Sequence, residues 1–423
     1  MIAETSFHLS PKSSLMISAK EFVRKFIPSF LLSWYHFILS LLGVIFYWFP
    51  SRQLKVIGVT GTNGKTTTAE MIAEILEKSG HKTALMNSIR FKIGNKEESN
   101  MLKMTMPGRF KIQKFLRQAI SSGCSYAVLE VTSEGILQYR HKFINFEAAV
   151  FTNLSPEHIE RHGSFENYRQ AKGKLFQAVN NIHIINIEDK NAEYFLQFKA
   201  RKKYTYGLDS GDVKNKDIQL KPKLPGEFNI YNALAAICVG LSQGIKLEIC
   251  KKAAEGIEKI SGRMEEVISW PFKVIIDYAV TPDALEKLYL AMKKMFPSQK
   301  IIAVFGSCGG GRDKWRRPAI GEIAAKYCDK IIITNEDPYD EDPGQILSQI
   351  KVGIFKSQFP TSNFYEIIDR REAIRKSLEL AQSDDVVVIT GKGCEPWICV
   401  ANGRKIPWDD RKVAKEEFEK LKK

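Results

Sequence analysis

Val56–Thr68 reads VIGVTGTNGKTTT: a short apolar run, a glycine-rich turn, and the opening of a helix. Val56, Ile57 and Val59 favour a buried strand. Gly61 and Gly64 allow a backbone that a Cβ would obstruct. Lys65, Thr66 and Thr67 begin a helix predicted over Thr66–Ser79, with Met71, Ile72, Ile75 and Leu76 on one apolar face. Such a turn aims main-chain N–H groups and a helix N-terminus at an anion. Lys65 adds a cation for the β- and γ-phosphates of a nucleotide, and Thr66 a hydroxyl for Mg2+. The strict phosphate-loop string requires glycine where Val59 stands, and Gly58 falls one residue too early.

Outward from this turn, strands and helices alternate from Leu54 to about Ile260, which predicts a largely parallel sheet covered by helices. Strands are expected at Lys55–Thr60, Thr83–Met86, Tyr126–Val131, Ala148–Thr152 and His183–Asn186, and helices at Gly108–Ser121, Phe165–Val179 and Asn229–Gly240. Glu130 ends one strand, on the side where an α/β sheet presents its site, and a carboxylate there can hold Mg2+ beside the phosphate turn. The next strand runs into FTNLSPEHIERHGSFENYRQAKGKLF (Phe151–Phe176), which carries His158, His162, Tyr168 and Lys172.

A second α/β unit begins near Gly262. Its strands are expected at Lys273–Ile276, Lys300–Phe305, Lys330–Thr334 and Val386–Thr390, and its helices at Pro282–Met295, Pro318–Lys326 and Asp369–Gln382. Three loops follow its strands: FGSCGGGRDKWRRP (Phe305–Pro318), TNEDPYDEDP (Thr334–Pro343) and GKGCEPW (Gly391–Trp397). The first offers arginine forks for a carboxylate or phosphate, the second carboxylates for an amine. The ending RKVAKEEFEKLKK reads as a solvated charged helix.

The chain has 423 residues, enough for two or three domains, and a net charge of +15. That charge suits polyanionic small substrates or an anionic membrane; no zinc-finger or RNA-recognition string accompanies it, so nucleic acid is not expected. Seven scattered cysteines without a CxxC pair suit reduced thiols in the cytoplasm. Residues 1–50 form a separate segment, basic at Lys12, Lys20, Arg24 and Lys25, then apolar from Phe26 to Phe49. The apolar stretch is long enough to span a bilayer, lie on one, or pack as a hairpin on the next domain.

These strings resemble the Mur ligase family, and most the MurE type, which uses ATP to add the third amino acid of a peptidoglycan stem peptide. The resemblance runs from about Lys55 to Arg411. It rests on TGTNGKTT, LEVTS (Leu129–Ser133), the Phe151–Lys172 string, LPGEFNIYNALAA (Leu224–Ala236), GRME (Gly262–Glu265), DYAVTPDAL (Asp277–Leu285), the three loops above, and DDR at Asp409–Arg411. It implies a central ATP-binding domain over 51–260 and a C-terminal Rossmann-like domain over 261–423 that binds the incoming amino acid, with an acyl phosphate formed between them. ATP would be held by Gly61, Thr62, Asn63, Gly64, Lys65, Thr66 and Thr67, with Asn229 and Asn232 nearby. Mg2+ would be held by Thr66, Glu130, His158 and a carbamylated Lys172, so that Lys65, Glu130, His158 and Lys172 form the catalytic set. Thr105, Thr132, Gln138 and Arg140 match positions for the muramyl dipeptide. Arg312, Glu336, Asp337, Pro338, Tyr339, Gly391 and Glu395 match positions around the amino acid.

The resemblance also implies an N-terminal UDP-binding domain, and the apolar segment stands in its place. A monomer acting on a UDP-linked or lipid-linked acceptor, with residues 26–49 at the membrane, is therefore expected. The amino-acid loop reads Glu336-Asp337-Pro338-Tyr339 where the diaminopimelate type has DNPR. The extra acid and missing arginine point toward lysine or ornithine, while Arg312 and Glu395 keep diaminopimelate open. Glu134, Val280 and Cys394 stand where the family strings have His, and Met106 where they have a second Thr; each is in or beside a site, which points to altered substrate choice. Alternatives are a folylpolyglutamate synthase-like or lipid II-modifying ligase of the same superfamily, or a membrane-attached scaffold that has lost catalysis.

Overall fold

β1 (Lys55–Thr60) lies at the centre of a nine-stranded sheet, and the phosphate turn leaves its carboxyl end. The computed structural model describes residues 28–422; Lys12, Lys20, Arg24, Lys25, Phe26 and Ile27 lie outside the described residues. The other strands are β2 (Thr83–Met86), β3 (Arg90–Ile93), β4 (Lys96–Ser99), β5 (Tyr126–Glu130), β6 (Phe146–Phe151), β7 (Ile182–Asn186), β8 (Lys202–Gly207) and β9 (Val213–Lys214), in the order β4-β3-β2-β5-β1-β6-β7-β8-β9. All pair in parallel except β2 with β3 and β3 with β4. Alternation along β1 sends Ile57 and Val59 into one apolar layer and Val56 into the other. The first layer is completed by the Lys65–Lys78 and Glu227–Ser242 helices, the second by Arg109–Ser121 and Phe165–Ala178.

β1 sits between β5 and β6, so the connections leave it in opposite directions, and the register sets Val59 beside Glu130. This reversal opens a crevice at the strands' carboxyl ends. The second sheet holds β10 (Glu265–Ile268), β11 (Lys273–Asp277), β12 (Ile301–Phe305), β13 (Lys330–Ile333), β14 (Phe364–Glu366) and β15 (Val386–Thr390), ordered β10-β11-β15-β12-β13-β14. Only the edge pair β10–β11 is antiparallel. A small hairpin of β16 (Trp397–Cys399) and β17 (Lys405–Pro407) follows.

Two expectations need correction. The final helix, Asp410–Leu421, is not wholly solvated: Val413, Ala414 and Phe418 pack into the second sheet's core. Its first residue, Asp410, is fully buried, takes 2.8 and 2.7 Å bonds from Arg370, and is joined by Trp408 Nε1 at 2.8 Å. The apolar N-terminal stretch is no hairpin. It is one helix, Ser29–Phe46, closed by a short turn at Pro50–Gln53. Among the described residues no helix is long and apolar enough to cross a membrane.

Because Arg370 and Asp410 are both withdrawn from solvent, removing one strands the other's charge. Asp410→Ala should lower unfolding free energy by about 3–5 kcal/mol in a urea titration. A loss under 1 kcal/mol would show that water reaches the arginine.

Candidate functional site

The phosphate turn is shaped by two close approaches. Gly61 has φ +154, and a Cβ there would stand 1.9 Å from Thr152 Oγ1; at Gly64, φ +80, it would meet Asn232 Oδ1 at 2.3 Å. The turn is pinned from the neighbouring strand end: Asn63 N–H donates to Asn153 Oδ1 at 2.9 Å, and Thr152 Oγ1 donates to Asn63 O at 2.7 Å. Asn232 lies under the turn, accepts from Thr68 Oγ1 at 3.2 Å and donates to Asn229 Oδ1 at 3.0 Å.

Glu130 is buried at the end of β5. One oxygen, Oε2, accepts from Thr66 Oγ1 (2.9 Å) and from Ser88 N and Oγ (3.1 and 3.0 Å). The other, Oε1, faces Lys65 Nζ at 3.8 Å, outside hydrogen-bond range, so it keeps acceptor capacity for a cation. Lys65 Nζ meanwhile donates to Thr62 O at 2.8 Å. Lys172 lies inside the fold with Nζ 2.7 Å from Gly61 O. Burial first, then the charge of Lys65, pushes its pKa well below the usual lysine value. A lysine held as the free amine is the form that combines with CO2 to give a carbamate.

His158 occupies the left-handed region at φ +57. Its ring faces Arg312 Nη1, 3.2 Å from Nδ1 and 3.4 Å from Nε2. Burial, helped by Arg312, Lys172 and Lys65, pushes its pKa down to about 2, so the imidazole is neutral and fit to ligate a metal. Glu157 adds an oxygen that sequence reasoning did not assign: Oε1 is 3.1 Å from Arg316 Nη1, while Oε2 is buried with no partner. Burial raises its pKa against the pull of Arg316 and Arg312. The donor set of Glu130, Thr66, neutral His158 and a carbamylated Lys172 therefore fits a hard divalent cation.

Facing this wall, the second sheet's loops close a cleft of about 1240 Å³. Of the residues expected around an amino acid, Arg312, Glu336, Tyr339 and Glu395 line it; Asp337, Pro338 and Gly391 stand behind. Gly391, φ +107, admits Glu336, whose Oε2 would lie 2.6 Å from a Cβ there. Asp337 is fully buried, with Lys392 Nζ at 3.0 and 2.9 Å, Cys399 N–H at 2.7 Å, and Lys103 Nζ also bonded to it. Burial raises its pKa, but Lys392 and Lys103 outweigh it and hold the carboxyl below the usual range. The extra acid of this loop is thus already neutralised from within the chain, which removes the argument for an ammonium-ended side chain. Lys103 also reaches Glu395 Oε2 at 3.2 Å and lies 5.8 Å from the centre of the Tyr339 ring. A lone lysine in a loop gave no signal for it.

On the acceptor side, Thr105, Thr132 and Arg140 line the cleft, and Thr105 Oγ1 lies 2.9 Å from Ser88 Oγ. Thr132 Oγ1 also caps a short helix, accepting from Gly135 N–H at 3.1 Å. Gln138 is not a lining residue: its side-chain oxygen takes Arg140 Nη2 at 2.7 Å, so it positions the arginine instead.

The two halves meet through further polar contacts. Asn63 Nδ2 donates to Asp283 Oδ2 at 2.9 Å, and Asp313 accepts the N–H groups of Ile159 and Glu160 at 3.0 and 2.8 Å. Arg263 Nη2, from the GRME string, is 3.4 Å from Thr66 Oγ1.

Comparison with known proteins matches residues 59–240 to the Mur ligase middle domain and 262–393 to the Mur ligase, glutamate ligase domain. The chain is 39% identical over 402 residues to the UDP-N-acetylmuramoyl-L-alanyl-D-glutamate–2,6-diaminopimelate ligase of Syntrophomonas wolfei, covering 89% of this chain and 81% of that one. The chain belongs to the Mur ligase family. A solved 2,6-diaminopimelate ligase of the same name is 30% identical, with a TM-score of 0.56, over 88% of this chain and 79% of its own. The folylpolyglutamate synthase of Mycobacterium tuberculosis shares the fold at a TM-score of 0.68 and 16% identity, over 84% of this chain and 92% of its own. As a Mur ligase, the chain is an ATP-dependent ligase.

The neutral His158 has a consequence for stability. Unfolded, it titrates near 6.5; folded, near 2. Below pH 6.5 the unfolded chain takes a proton that the folded chain refuses, so stability falls by about 1.4 kcal/mol per pH unit from this group down toward pH 2. His158→Asn, which tolerates the left-handed backbone, should remove about one proton from the slope of urea-unfolding free energy between roughly pH 6 and 4. An unchanged slope would place a protonated imidazole in the fold.

Proposed function

We propose that this Mur ligase adds the third amino acid, a diamino acid, to a MurNAc-L-Ala-D-Glu acceptor, working as a monomer with ATP and Mg2+. The observation that carries the reading is the single cleft. One wall holds the phosphate turn with Glu130, His158 and Lys172; the other holds Arg312, Glu336, Tyr339 and Glu395. Both walls come from one chain, which supports a monomer. Residues 51–260 serve as the ATP-binding domain and 261–423 as the amino-acid domain.

In the first step a carboxylate of the acceptor's D-Glu attacks the γ-phosphorus of ATP, an acyl phosphate forms, and ADP leaves. Two anions must be brought together, so the site must supply positive charge. Lys65 lies at the turn for the β- and γ-phosphates, and the first main-chain N–H groups of the Lys65–Lys78 helix would face them, while those of Thr62 and Asn63 already donate to Asn153. Thr66, Glu130, His158 and Lys172 as its carbamate would hold Mg2+, which when bound neutralises charge on the phosphoryl oxygens. In the second step the neutral amine of the amino acid attacks the acyl carbon, a tetrahedral intermediate forms, phosphate leaves, and the amine loses a proton. Arg312 stands between the two walls, against His158 and in reach of an incoming carboxylate.

The amino acid is read as diaminopimelate. Two observations support it: the relatives' names as 2,6-diaminopimelate ligases, and the ammonium of Lys103 beside Tyr339, the position at which the diaminopimelate type carries its arginine. Lys103 supplies from the first domain a cation for the distal carboxylate.

ATP, a MurNAc-dipeptide and diaminopimelate together should yield tripeptide, ADP and phosphate by mass spectrometry. Lys65→Ala should cut the rate by about 10²-fold or more; ATP consumption that ignores the dipeptide would sink the reading. Lys103→Met should raise KM for diaminopimelate by about 10-fold or more while leaving KM for lysine nearly unchanged. An equal effect on both amino acids would show that Lys103 merely holds Asp337 and Glu395.

A further inference from the structure

The Ser29–Phe46 helix has two unlike faces. Ser40, Gly43 and Val44 turn inward, and a Cβ added at Gly43 would stand 3.7 Å from Phe110 on the Arg109–Ser121 helix. Phe30, Leu31, Trp34, Tyr35, Ile38, Leu42, Ile45 and Phe46 are 46–67% exposed and share an arc of about 160° at 100° per residue. Trp48, just beyond the helix, is 79% exposed. So continuous an apolar stripe is not an ordinary soluble surface.

The surroundings of this stripe carry one sign of charge. No aspartate or glutamate occurs from residue 28 to 69, from 100 to 129, or from 135 to 146. The Arg109–Ser121 helix beside it bears Arg109, Lys111, Lys114 and Arg117, and Lys111 and Lys114 are exposed. Arg52 lies over the Phe49 ring at 4.5 Å, and Arg117 donates to the carbonyls of Tyr47 and Trp48. An apolar stripe with indole and phenol groups, flanked by cations and free of carboxylates, matches an anionic lipid surface in both its acyl boundary and its headgroups.

We propose that the outer face of the Ser29–Phe46 helix docks flat on an anionic bilayer and sets the acceptor end of the cleft at the membrane surface. The second half follows from how the helix is held. Ser40 Oγ donates to Tyr139 O at 2.9 Å, Ser33 Oγ lies 3.0 Å from Tyr139 OH, and Arg109 donates to Gln138 O at 3.1 and 2.7 Å. Tyr139 sits between Gln138 and Arg140, the acceptor-side pair. That placement rests on the acceptor reading given above; the docking does not.

The test is flotation of the full chain with vesicles of phosphatidylglycerol and phosphatidylcholine, against vesicles of phosphatidylcholine alone. The protein should float with the anionic vesicles and lose most of that binding in 0.5 M salt. Trp34→Ser, Ile38→Ser and Leu42→Ser combined should reduce binding at least tenfold, and Lys111→Glu with Lys114→Glu should do so without touching the apolar stripe. All five residues are exposed, so thermal unfolding should stay at the parent temperature. Ligation of a water-soluble acceptor should also be unchanged, which separates failed docking from a failed ligase reading. The proposal is overturned if the chain ignores both vesicle types, if it binds neutral vesicles equally well, or if the chain is a dimer that the triple variant splits, which would give this face to a second copy.

Discussion

The cleft is governed by two lysines in one small buried space. Lys172 is withdrawn from water and Lys65 largely so, the charge of Lys65 acts on Lys172, and Glu130 faces Lys65 while accepting from Thr66. Such a group of cations is costly without anions. The fold lowers the cost by lowering the proton affinity of both lysines, Lys172 furthest. A polyphosphate entering beside Lys65 completes a charge balance that the protein alone leaves short. A carbamate on Lys172 would put an anion in the same space. The glycine turn, the parallel register that sets Val59 beside Glu130, and the pinning by Thr152 and Asn153 all hold this cluster in place.

Across the cleft the charges are paired more completely. Asp337 and Glu395 are answered by Lys103 and Lys392, and Glu395 also accepts from Tyr278 OH at 3.0 Å. The charges of this wall are thus largely paired within the chain. Lys103 crosses from the first domain to the second, so these pairs are complete only when the halves are together. Arg316 with Glu157 and Asp313 with the Ile159 and Glu160 N–H groups tie the same two halves beside His158.

Much of the fold was legible because long elements carry strong periodicity. β1, β2, β15 and the Pro282–Met295 helix fall on their expected residues, and others shift by one or two at the ends. Two helices with a clear apolar face, Leu247–Gly256 and Pro343–Lys356, were not expected, and the other misses had weak pattern. The β3–β4 hairpin, RFKIGNKEES, pairs an edge with few apolar positions and is mostly exposed or half-exposed. The charged C-terminal run hid an amphipathic helix, because three small or large apolar positions among eight charges decide its burial. In the site, residues inside strings were readable, while Lys103 belongs to none. A matching position says nothing about side-chain direction: the Gln138 amide turns to Arg140.

The four departures from the family strings do not share one meaning. Met106 is buried, and Arg140 bonds to its main-chain oxygen, a contact indifferent to the side chain. Its sulfur lies against Gly135, where a Cβ would come within 2.5 Å, so this change is absorbed by packing. Glu134 differs: its Oε1 is 3.8 Å from both His158 Nδ1 and Arg161 Nε, and it lines the cleft. An imidazole there would add a group able to carry positive charge where a carboxylate now stands. Cys394 also lines the cleft, and burial raises its pKa, leaving an uncharged thiol. Val280 adds an apolar contact. Three imidazoles of the family pattern are thus replaced by one anion and two uncharged groups around the same cleft.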